Sequence, residues 1–320
     1  MRAALVCLAL LVACSSDSSG PPSNTPASFY VANKGSSAIS VFTTADTGNV
    51  RPAHTISGTN TTLDQPEGIV VDPAGVVIAT SANPWRIVVF GANSVGDVTP
   101  VASIVGSNTR LSQPKGLALD QLGRLFVVSS ASDSILIFAN GATGNVPPLG
   151  AIGGSNSGLQ APEGIAIDLR GRLYVTSAFN NTILVFGGNA TGNVRPTDTI
   201  AGGNTGLDAP MGVTLDPGGR IYVVNYGTGV ANSASVTVYD AGSTGNATPV
   251  ASIKGASTLL SQPIGIALDA AGRIYVANSG TTSAQYRITV YAADANGDVA
   301  PIVTLSGANT GLSVPSFLAF

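Results

Sequence analysis

The chain of 320 residues is poor in charge: charged side chains make up 10% of it, against about 25% in a typical soluble protein. Its 14 basic and 17 acidic residues give a net charge of −3, and the basic residues form no cluster. We therefore expect no nucleic-acid partner. A domain of this length buries roughly three quarters of its unfolded surface, so it needs no metal or disulfide to fold. We expect a monomer without a cofactor.

The N-terminus has the pattern of an export signal. Arg2 is followed by an apolar run from Ala3 to Ala13, which is too short to span a bilayer. A polar segment rich in serine follows Cys14 and is too poor in apolar residues to fold. These features predict a signal peptide over residues 1–13 and a flexible tether over residues 14–27.

Leu11-Val12-Ala13-Cys14 resembles the lipobox of bacterial lipoproteins. The resemblance implies that Cys14 is lipidated and becomes the new N-terminus, so that acyl chains hold the protein at a membrane. It also implies export to the bacterial cell envelope, and Ser15 after the cysteine favours the outer membrane of a Gram-negative host. The alternative is an ordinary secretory signal in which Cys14 is incidental.

The mature sequence is built from a repeat of about 50 residues. Each copy begins with Pro-x-Gly followed by alternating apolar residues, and the copies are spaced by 48, 48, 48, 53 and 52 residues. A leucine always stands three residues before the proline, and we predict that it packs between neighbouring repeats. The copies begin at Pro66, Pro114, Pro162, Pro210, Pro263 and, in a degenerate form, Pro315.

Each repeat predicts four short antiparallel strands joined by turns. In the third copy they are the segments 164–168, 173–176 and 182–186 and a fourth strand that ends at Ile200. Such a sheet is apolar on both faces, and stacking copies radially covers both of them. This arrangement predicts an all-β propeller of four-stranded antiparallel blades.

The two ends of the sequence fix the number of blades. Residues 29–33 match a second strand, whereas residues 315–320 match a first strand and stop there. Five complete repeats and these two complementary fragments make six blades. We therefore predict a six-bladed β-propeller over residues 28–320, closed by pairing of the C-terminal strand with the N-terminal blade, so that no sheet edge is left open.

The repeat motifs resemble NHL-type repeats. They are Pro-x-Gly with an apolar strand ending in Asp, Gly-Arg-[Leu/Ile]-[Tyr/Phe]-Val, and Ile-x-Val-[Phe/Tyr]. The likeness extends over residues 28–320. It implies the propeller fold but not one function, because this repeat class includes binding scaffolds, lactonases and lyases.

The residue between Pro and Gly in each repeat is predicted to line one mouth of the central channel, and we call these six residues the mouth ring. Both glutamates of the protein belong to it, and between them stands Lys115, one of only three lysines in the protein. We predict a polar ligand site here. The alternative is that the glutamates descend from a duplicated Pro-Glu-Gly and only pair with the lysine in a solvated ring. The mouth ring is Glu67, Lys115, Glu163, Met211, Ile264 and Ser316.

Aromatic residues are predicted at the same end of the propeller, in the loops between the second and third strands. Two of these loops are lengthened, and exposed aromatic residues on long loops favour a recognition surface for a glycan, a peptide or a protein. The alternative is that the rings fold down as local core. A further ring of Ser and Asn at the ends of the second strands could bind a ligand or satisfy loop backbone. The aromatic residues are Trp85, Phe179, Tyr226 and Tyr286.

Binding is favoured over catalysis. The enzymatic alternative is a calcium-dependent lactonase of the gluconolactonase-like kind, whose resemblance would imply metal ligands at Glu67 and Glu163. The other mouth-ring residues do not supply the six or more oxygens that calcium takes. A lyase similar to virginiamycin lyase would need a histidine, and the single His54 falls in an outermost strand. We expect no catalytic residue and no metal site, and interpret residues 294–298 as a turn rather than a calcium loop.

Overall fold

The computed structural model describes residues 26–230 and 232–320, whose strands form six sheets of four antiparallel strands each. In every sheet the first strand of the repeat is innermost and the fourth is outermost. The second blade consists of β4 (Ile69–Val71), β5 (Val77–Ser81), β6 (Arg86–Phe90) and β7 (Ala102–Val105). The third consists of β8 (Pro114–Leu119), β9 (Leu125–Ser129), β10 (Ser134–Phe138) and β11 (Gly150–Gly153). The fourth consists of β12 (Pro162–Ile167), β13 (Leu173–Ser177), β14 (Thr182–Phe186) and β15 (Asp198–Ile200).

The fifth and sixth blades repeat this order. The fifth consists of β16 (Pro210–Leu215), β17 (Ile221–Asn225), β18 (Ser235–Tyr239) and β19 (Ala251–Lys254). The sixth consists of β20 (Pro263–Leu268), β21 (Ile274–Asn278), β22 (Arg287–Tyr291) and β23 (Val303–Ser306). The helical segments of the described residues are three-residue 3₁₀ turns: Lys34–Ser36, Thr59–Thr61, Ser107–Thr109, Ser130–Ser132, Ala256–Thr258, Ser283–Gln285 and Ala308–Thr310. Within this part of the chain no helix is long and apolar enough to cross a membrane.

The first blade is assembled from both ends of the described chain. It contains β1 (Ser28–Asn33), β2 (Ala38–Thr43) and β3 (His54–Ile56), and its innermost strand is β24 (Pro315–Ala319). Tyr30 pairs with Ala319 and Val31 with Leu318. The predicted closure of six blades by the C-terminal strand is therefore confirmed. The predicted signal peptide, Cys14 and the tether as far as residue 25 lie outside the described residues.

The hydrophobic core lies between blades rather than within them. Each of six clusters of buried side chains draws on two adjacent sheets. Between the third and fourth blades, for example, Phe126 and Ile135 of one sheet are clustered with Leu184 and Phe186 of the next, together with the connector leucine Leu159. This arrangement covers both apolar faces of each sheet, as the repeat predicted.

The glycine of Pro-x-Gly lets the inner strands approach each other at the channel. A Cβ built on Gly164 would lie 2.5 Å from the carbonyl oxygen of Met211 in the next blade, and one on Gly116 would lie 2.7 Å from that of Glu163. A side chain at either of these two glycines would therefore push neighbouring blades apart. The degenerate sixth copy has Phe317 in this place, and its backbone N–H donates to the carbonyl of Glu67 (3.2 Å).

The outer rim is also tied from blade to blade. Ile104 of β7 forms a parallel bridge to Gly144 in the following blade, and the side chain of Asn145 accepts a hydrogen bond from the backbone N–H of Asn108 (2.8 Å). The same pair of contacts closes the circle, where Gly48 bridges Leu305 and Asn49 accepts from the N–H of Asn309 (2.8 Å). These contacts cover the outermost strand edges.

Candidate functional site

The mouth ring and the loops between second and third strands lie on one face of the propeller. Pro162, which begins an inner strand, pairs with Ser177, which ends the second strand of the same blade. The loop after Ser177 therefore starts beside Glu163. We call this end the mouth face, and we call the opposite end, which carries the turns from Asp to Gly between first and second strands, the turn face.

Polar side chains that end the second strands hold the mouth ring in place. Each is fully buried and accepts a hydrogen bond from the connector that leads into the inner strand of its blade; Ser177 accepts from the N–H of Gln160 (2.8 Å) and Asn225 from that of Asp208 (3.1 Å). We predicted that these side chains either bind a ligand or satisfy the backbone of the loops, and the hydrogen bonds show that they satisfy the backbone. The six residues are Asn33, Ser81, Ser129, Ser177, Asn225 and Asn278.

The Lys115 and Glu163 side chains form a buried ion pair between the third and fourth blades. The Lys115 Nζ lies 2.6 Å from Glu163 Oε1 and 2.7 Å from Oε2. Glu163 is only 6% exposed, so the alternative of a fully solvated ring is wrong for this pair. Burial raises the pKa of Glu163 above its usual value, and the neighbouring Lys115 ammonium opposes that rise.

Glu67 pairs with Lys34 and not with Lys115. Its Oε1 accepts a hydrogen bond from Lys34 Nζ at 2.6 Å, so the idea that both glutamates pair with Lys115 is wrong for Glu67. Lys34 follows β1 of the first blade and was missed because the first blade lacks a complete repeat in the sequence. The scarcity of lysine was a signal for it, since two of three lysines in the protein contribute to this site.

The charged and uncharged residues occupy different halves of the mouth. Lys34, Glu67, Lys115 and Glu163 follow one another on the first four blades as alternating positive and negative charges. The ring positions of the fifth and sixth blades are the partly buried Met211 and Ile264. Ser316 completes the ring; it is 1% exposed, and its Oγ has no hydrogen-bond partner among the described residues. A ligand at this mouth would therefore meet charges on one side and apolar surface on the other.

The four aromatic residues of the mouth-face loops differ in exposure. Trp85 is 45% exposed and Phe179 is 81% exposed, whereas Tyr226 and Tyr286 are half-buried. Burial raises the pKa of Tyr226 above its usual value. Trp85 and Phe179 therefore offer free aromatic surface, and the two tyrosines are partly local core.

The central channel continues below the mouth ring as a cavity of about 320 Å³. Inner strands of all six blades line it, and the side chains around it are almost all apolar. The last residues along this path toward the turn face include Leu119, Ile167, Leu215, Leu268 and Phe320. Charge in the channel is therefore concentrated at the mouth face.

The carboxylates of the mouth do not fit a calcium site. Both oxygens of Glu163 face the Lys115 ammonium, and Glu67 faces that of Lys34. Residues 26–230 and 232–320 contain no group of three or more His, Cys, Asp or Glu side chains that could hold a metal. Asp298 accepts a hydrogen bond from the N–H of Ser257 (2.7 Å), which joins this turn to the connector after β19. His54 lies in the outermost strand β3, away from the channel.

The turn face carries ion pairs of another kind. In the third to sixth blades the Asp that begins the turn pairs with an Arg four residues later at 2.6–2.7 Å, and the guanidinium lies 5.4–5.7 Å from the centre of an aromatic ring two residues further on. These contacts repeat without variation in four blades, which indicates a role in the fold. The pairs are Asp120–Arg124, Asp168–Arg172, Asp216–Arg220 and Asp269–Arg273.

The fold and this site define the chain as a closed six-bladed β-propeller with a charged half-ring at one channel mouth. It is similar to a protein of unknown function from Bacteroides caccae (10% identity, TM-score 0.64, covering 92% of this chain and 98% of that one). It is also similar to a protein from Lactobacillus plantarum (12% identity, TM-score 0.61, covering 92% of this chain and 99% of that one). A third similar structure is a chain of a nidogen/laminin complex (16% identity, TM-score 0.58, covering 91% of this chain and 97% of that one). At these identities the likeness shows the fold alone. No family model and no curated protein matches the chain, so membership of the NHL-type class stays a prediction.

Proposed function

We propose that this protein is an exported propeller, anchored through a lipid on Cys14, that binds a ligand at its mouth face. The observation that carries the proposal is that two ion pairs, Lys34–Glu67 and Lys115–Glu163, each join adjacent blades at one mouth of the closed channel. Buried or half-buried charge adds little net stability to a fold. Its presence at one mouth therefore supports a role in recognition.

The ligand class is a glycan, a peptide or an envelope protein. Trp85 and Phe179 support it, because their exposed rings lie on loops of the same face as the mouth ring, in the second and fourth blades. Rigid aromatic side chains supply much contact area at low entropic cost. The proposed role is that of a binding scaffold, and no residue is assigned to catalysis.

The binding test compares exposed aromatic residues of the mouth face with an exposed leucine of the turn face. Trp85→Ala and Phe179→Ala are to be compared with Leu169→Ala, which removes a side chain that is 78% exposed on the turn face. Purified wild type and variants are used to capture glycan fragments and envelope proteins. We expect the first two variants to lose a captured species that wild type and Leu169→Ala retain. Identical captured material from all four proteins would refute recognition by the aromatic residues.

The lactonase-like alternative has its own test. Thermal melts of wild type with calcium, magnesium and chelator are expected to coincide, because the carboxylates already face lysines. A shift of several degrees that chelator reverses, and that Glu67→Gln and Glu163→Gln abolish, would replace the scaffold proposal with a metal-dependent one.

The anchor is tested at Cys14. Wild type is expected to partition with membranes and to carry acyl chains in mass spectrometry, whereas Cys14→Ser is expected to be released as soluble protein. Equal partitioning of the two would refute the lipid anchor and leave the mouth-face proposal untouched.

A further inference from the structure

The chain enters the propeller at the turn face. β1 begins at Ser28, which pairs with Thr43 at the end of β2, and the carbonyl of Ala27 accepts a hydrogen bond from the N–H of Thr44 (2.8 Å). Tyr30 pairs with Ala319, near the end of the inner strand. The first described residues therefore lie at the end of the blade opposite the mouth ring.

The tips of the turns from Asp to Gly on the turn face carry almost no charge, and the exposed acids Asp240 and Asp294 of this face lie in the neighbouring turns between third and fourth strands. Each turn from Asp to Gly has two central residues at its tip, and in five blades Arg170 is the only charged one. Leu122 is 71% exposed and Leu169 is 78% exposed, at the tips of adjacent blades. The turn geometry does not need an apolar residue at such a tip, where polar residues are usual. The tip pairs are Pro73-Ala74, Gln121-Leu122, Leu169-Arg170, Pro217-Gly218 and Ala270-Ala271.

The Asp side chains of these turns are largely buried and hydrogen-bonded. Asp168 accepts hydrogen bonds from the N–H groups of Arg170 (2.9 Å) and Arg172 (2.8 Å), and its other oxygen pairs with the Arg172 guanidinium. The Asp side chain is 11% exposed in this blade and 6% exposed at Asp269. In four of the five turns the Asp charge is thus neutralised by an Arg beneath the tip, which lowers the cost of bringing the tips against an uncharged lipid surface.

We propose that the turn face rests against the lipid surface, so that the mouth face points away from it. This inference rests on the lipid anchor of the proposed function. A flexible chain of eleven residues, the number between Cys14 and Pro26, has a root-mean-square span of roughly 20 Å. A six-residue inner strand is itself about 20 Å long. Because the chain enters the propeller at the turn face, that face lies nearest the bilayer, and the mouth face could reach the bilayer only by using the whole root-mean-square span of the tether along the side of the blade.

The test places a single tryptophan on either face of the fourth blade. Leu169→Trp and Phe179→Trp, each in a Trp85→Phe background, are matched because the native side chains are 78% and 81% exposed. The full chain is expressed with its own leader in a Gram-negative host and reconstituted into phosphatidylcholine vesicles with brominated acyl chains. We expect the bromine to quench the fluorescence of Leu169→Trp and to leave that of Phe179→Trp unchanged. Quenching of Phe179→Trp, of both equally or of neither would overturn the proposal.

A second form of the experiment separates this proposal from the anchor. If wild type and Cys14→Ser partition equally, the anchor fails, and residues 26–320 with a hexahistidine tag before Pro26 are attached to vesicles through nickel-chelating lipid. This segment contains all six blades and the closing strand, so it is a complete folding unit. The same quenching pattern is expected. Equal quenching there would overturn the orientation on its own.

Discussion

The two faces of the propeller use the same chemistry in different ways. On the turn face, four Arg side chains each pair with the Asp four residues earlier in the same blade. On the mouth face, the two Lys–Glu pairs join residues 33 and 48 positions apart, and each occurs once. A contact that is copied with the repeat serves the fold, whereas a contact that occurs once is what the proposed ligand site leads us to expect.

Burial follows the same division. The Arg side chains of the turn face are 28–48% exposed, whereas Lys115 and Glu163 are 13% and 8% exposed as side chains. Exposed pairs contribute about 0–1 kcal/mol to stability. A buried pair that loses one partner costs about 3–5 kcal/mol, because an unpaired charge remains inside. The two faces should therefore respond differently to the same kind of substitution.

The most severe perturbation removes the strand that joins both faces. Deleting residues 316–320 takes away all of β24 except Pro315, including the buried Leu318. It also removes Phe320, which follows the strand and whose ring lies 4.9 Å from that of Tyr275 and 5.7 Å from that of Phe29. Each large apolar side chain contributes about 1.5–3 kcal/mol when buried. We therefore expect a loss of more than about 5 kcal/mol, which approaches the whole stability of a domain. Urea unfolding followed by circular dichroism measures it.

The control for this deletion is a chain extended by Gly-Ser after Phe320, which keeps the strand. It should unfold like wild type. If the shortened protein retained the wild-type urea midpoint, the outer-rim contacts between Gly48 and Leu305 and between Asn49 and Asn309 would be sufficient for closure.

The second prediction compares one cation from each face. Lys115→Ala leaves Glu163 buried without its partner, and we expect a loss of about 3 kcal/mol in the free energy of unfolding at pH 7. Arg172→Ala removes a more exposed pair and a contact with the ring of Tyr174, and we expect a loss of about 1 kcal/mol. Urea midpoints with unchanged m-values give both numbers. Equal losses would mean that the mouth pair is structural in the same sense as the turn pairs.

The third prediction is a pH dependence of opposite sign on the two faces. Burial raises the pKa of Glu163, so its contribution to stability is present below its unfolded value of 4.5 and is lost as pH rises through the folded pKa. Burial acts to raise the pKa of Asp216 as well, but hydrogen bonds from Arg220 outweigh it and lower that pKa. Its contribution is therefore present above 3.8 and is lost as pH falls through the folded pKa.

Unfolding of wild type, Glu163→Gln and Asp216→Asn between pH 3 and 7 checks this. The advantage of wild type over Glu163→Gln should grow as the pH falls, and its advantage over Asp216→Asn should shrink. Parallel pH curves for the two variants would contradict the division between the faces.

The sequence predicts the fold well because the fold repeats. Pro-x-Gly, the connector leucine and the turn from Asp to Gly recur at fixed spacing, and each has one physical cause, such as the close approach of Gly164 to the backbone of Met211. Complementary fragments at the two ends then specify closure. These features are local or periodic, and both kinds can be read from one sequence.

The site is harder to predict because it depends on side chains that meet across blades. The sequence places Glu67, Lys115 and Glu163 in one ring, but their partners depend on the reach and direction of each side chain. Lys34 follows a strand of the incomplete first blade, so no repeat position marks it as a neighbour of Glu67. The exposure of Trp85 and Phe179, against the partial burial of Tyr226, likewise depends on loop packing that the repeat does not encode.

The smallest expected effect is the difference in stability between two serine-to-alanine variants, one at the repeated position of Ser129 and one at Ser316. Ser129 Oγ accepts a hydrogen bond from the N–H of Ser112 (2.9 Å) and donates one to its carbonyl (3.1 Å), so Ser129→Ala should cost about 1 kcal/mol. Ser316 is equally buried, but its Oγ has no hydrogen-bond partner among the described residues. Ser316→Ala should therefore leave stability unchanged or raise it by up to about 1 kcal/mol, because burying a hydroxyl without a partner is unfavourable.

If the Ser316 hydroxyl serves a ligand, the same substitution should weaken capture by the mouth face while the protein stays as stable as wild type. A loss of stability in Ser316→Ala similar to that in Ser129→Ala would show that both hydroxyls serve the fold. The occurrence of a residue at only one position of the ring would then no longer mark it as part of the site. The contrast between the two faces would depend on the lysine–glutamate pairs alone.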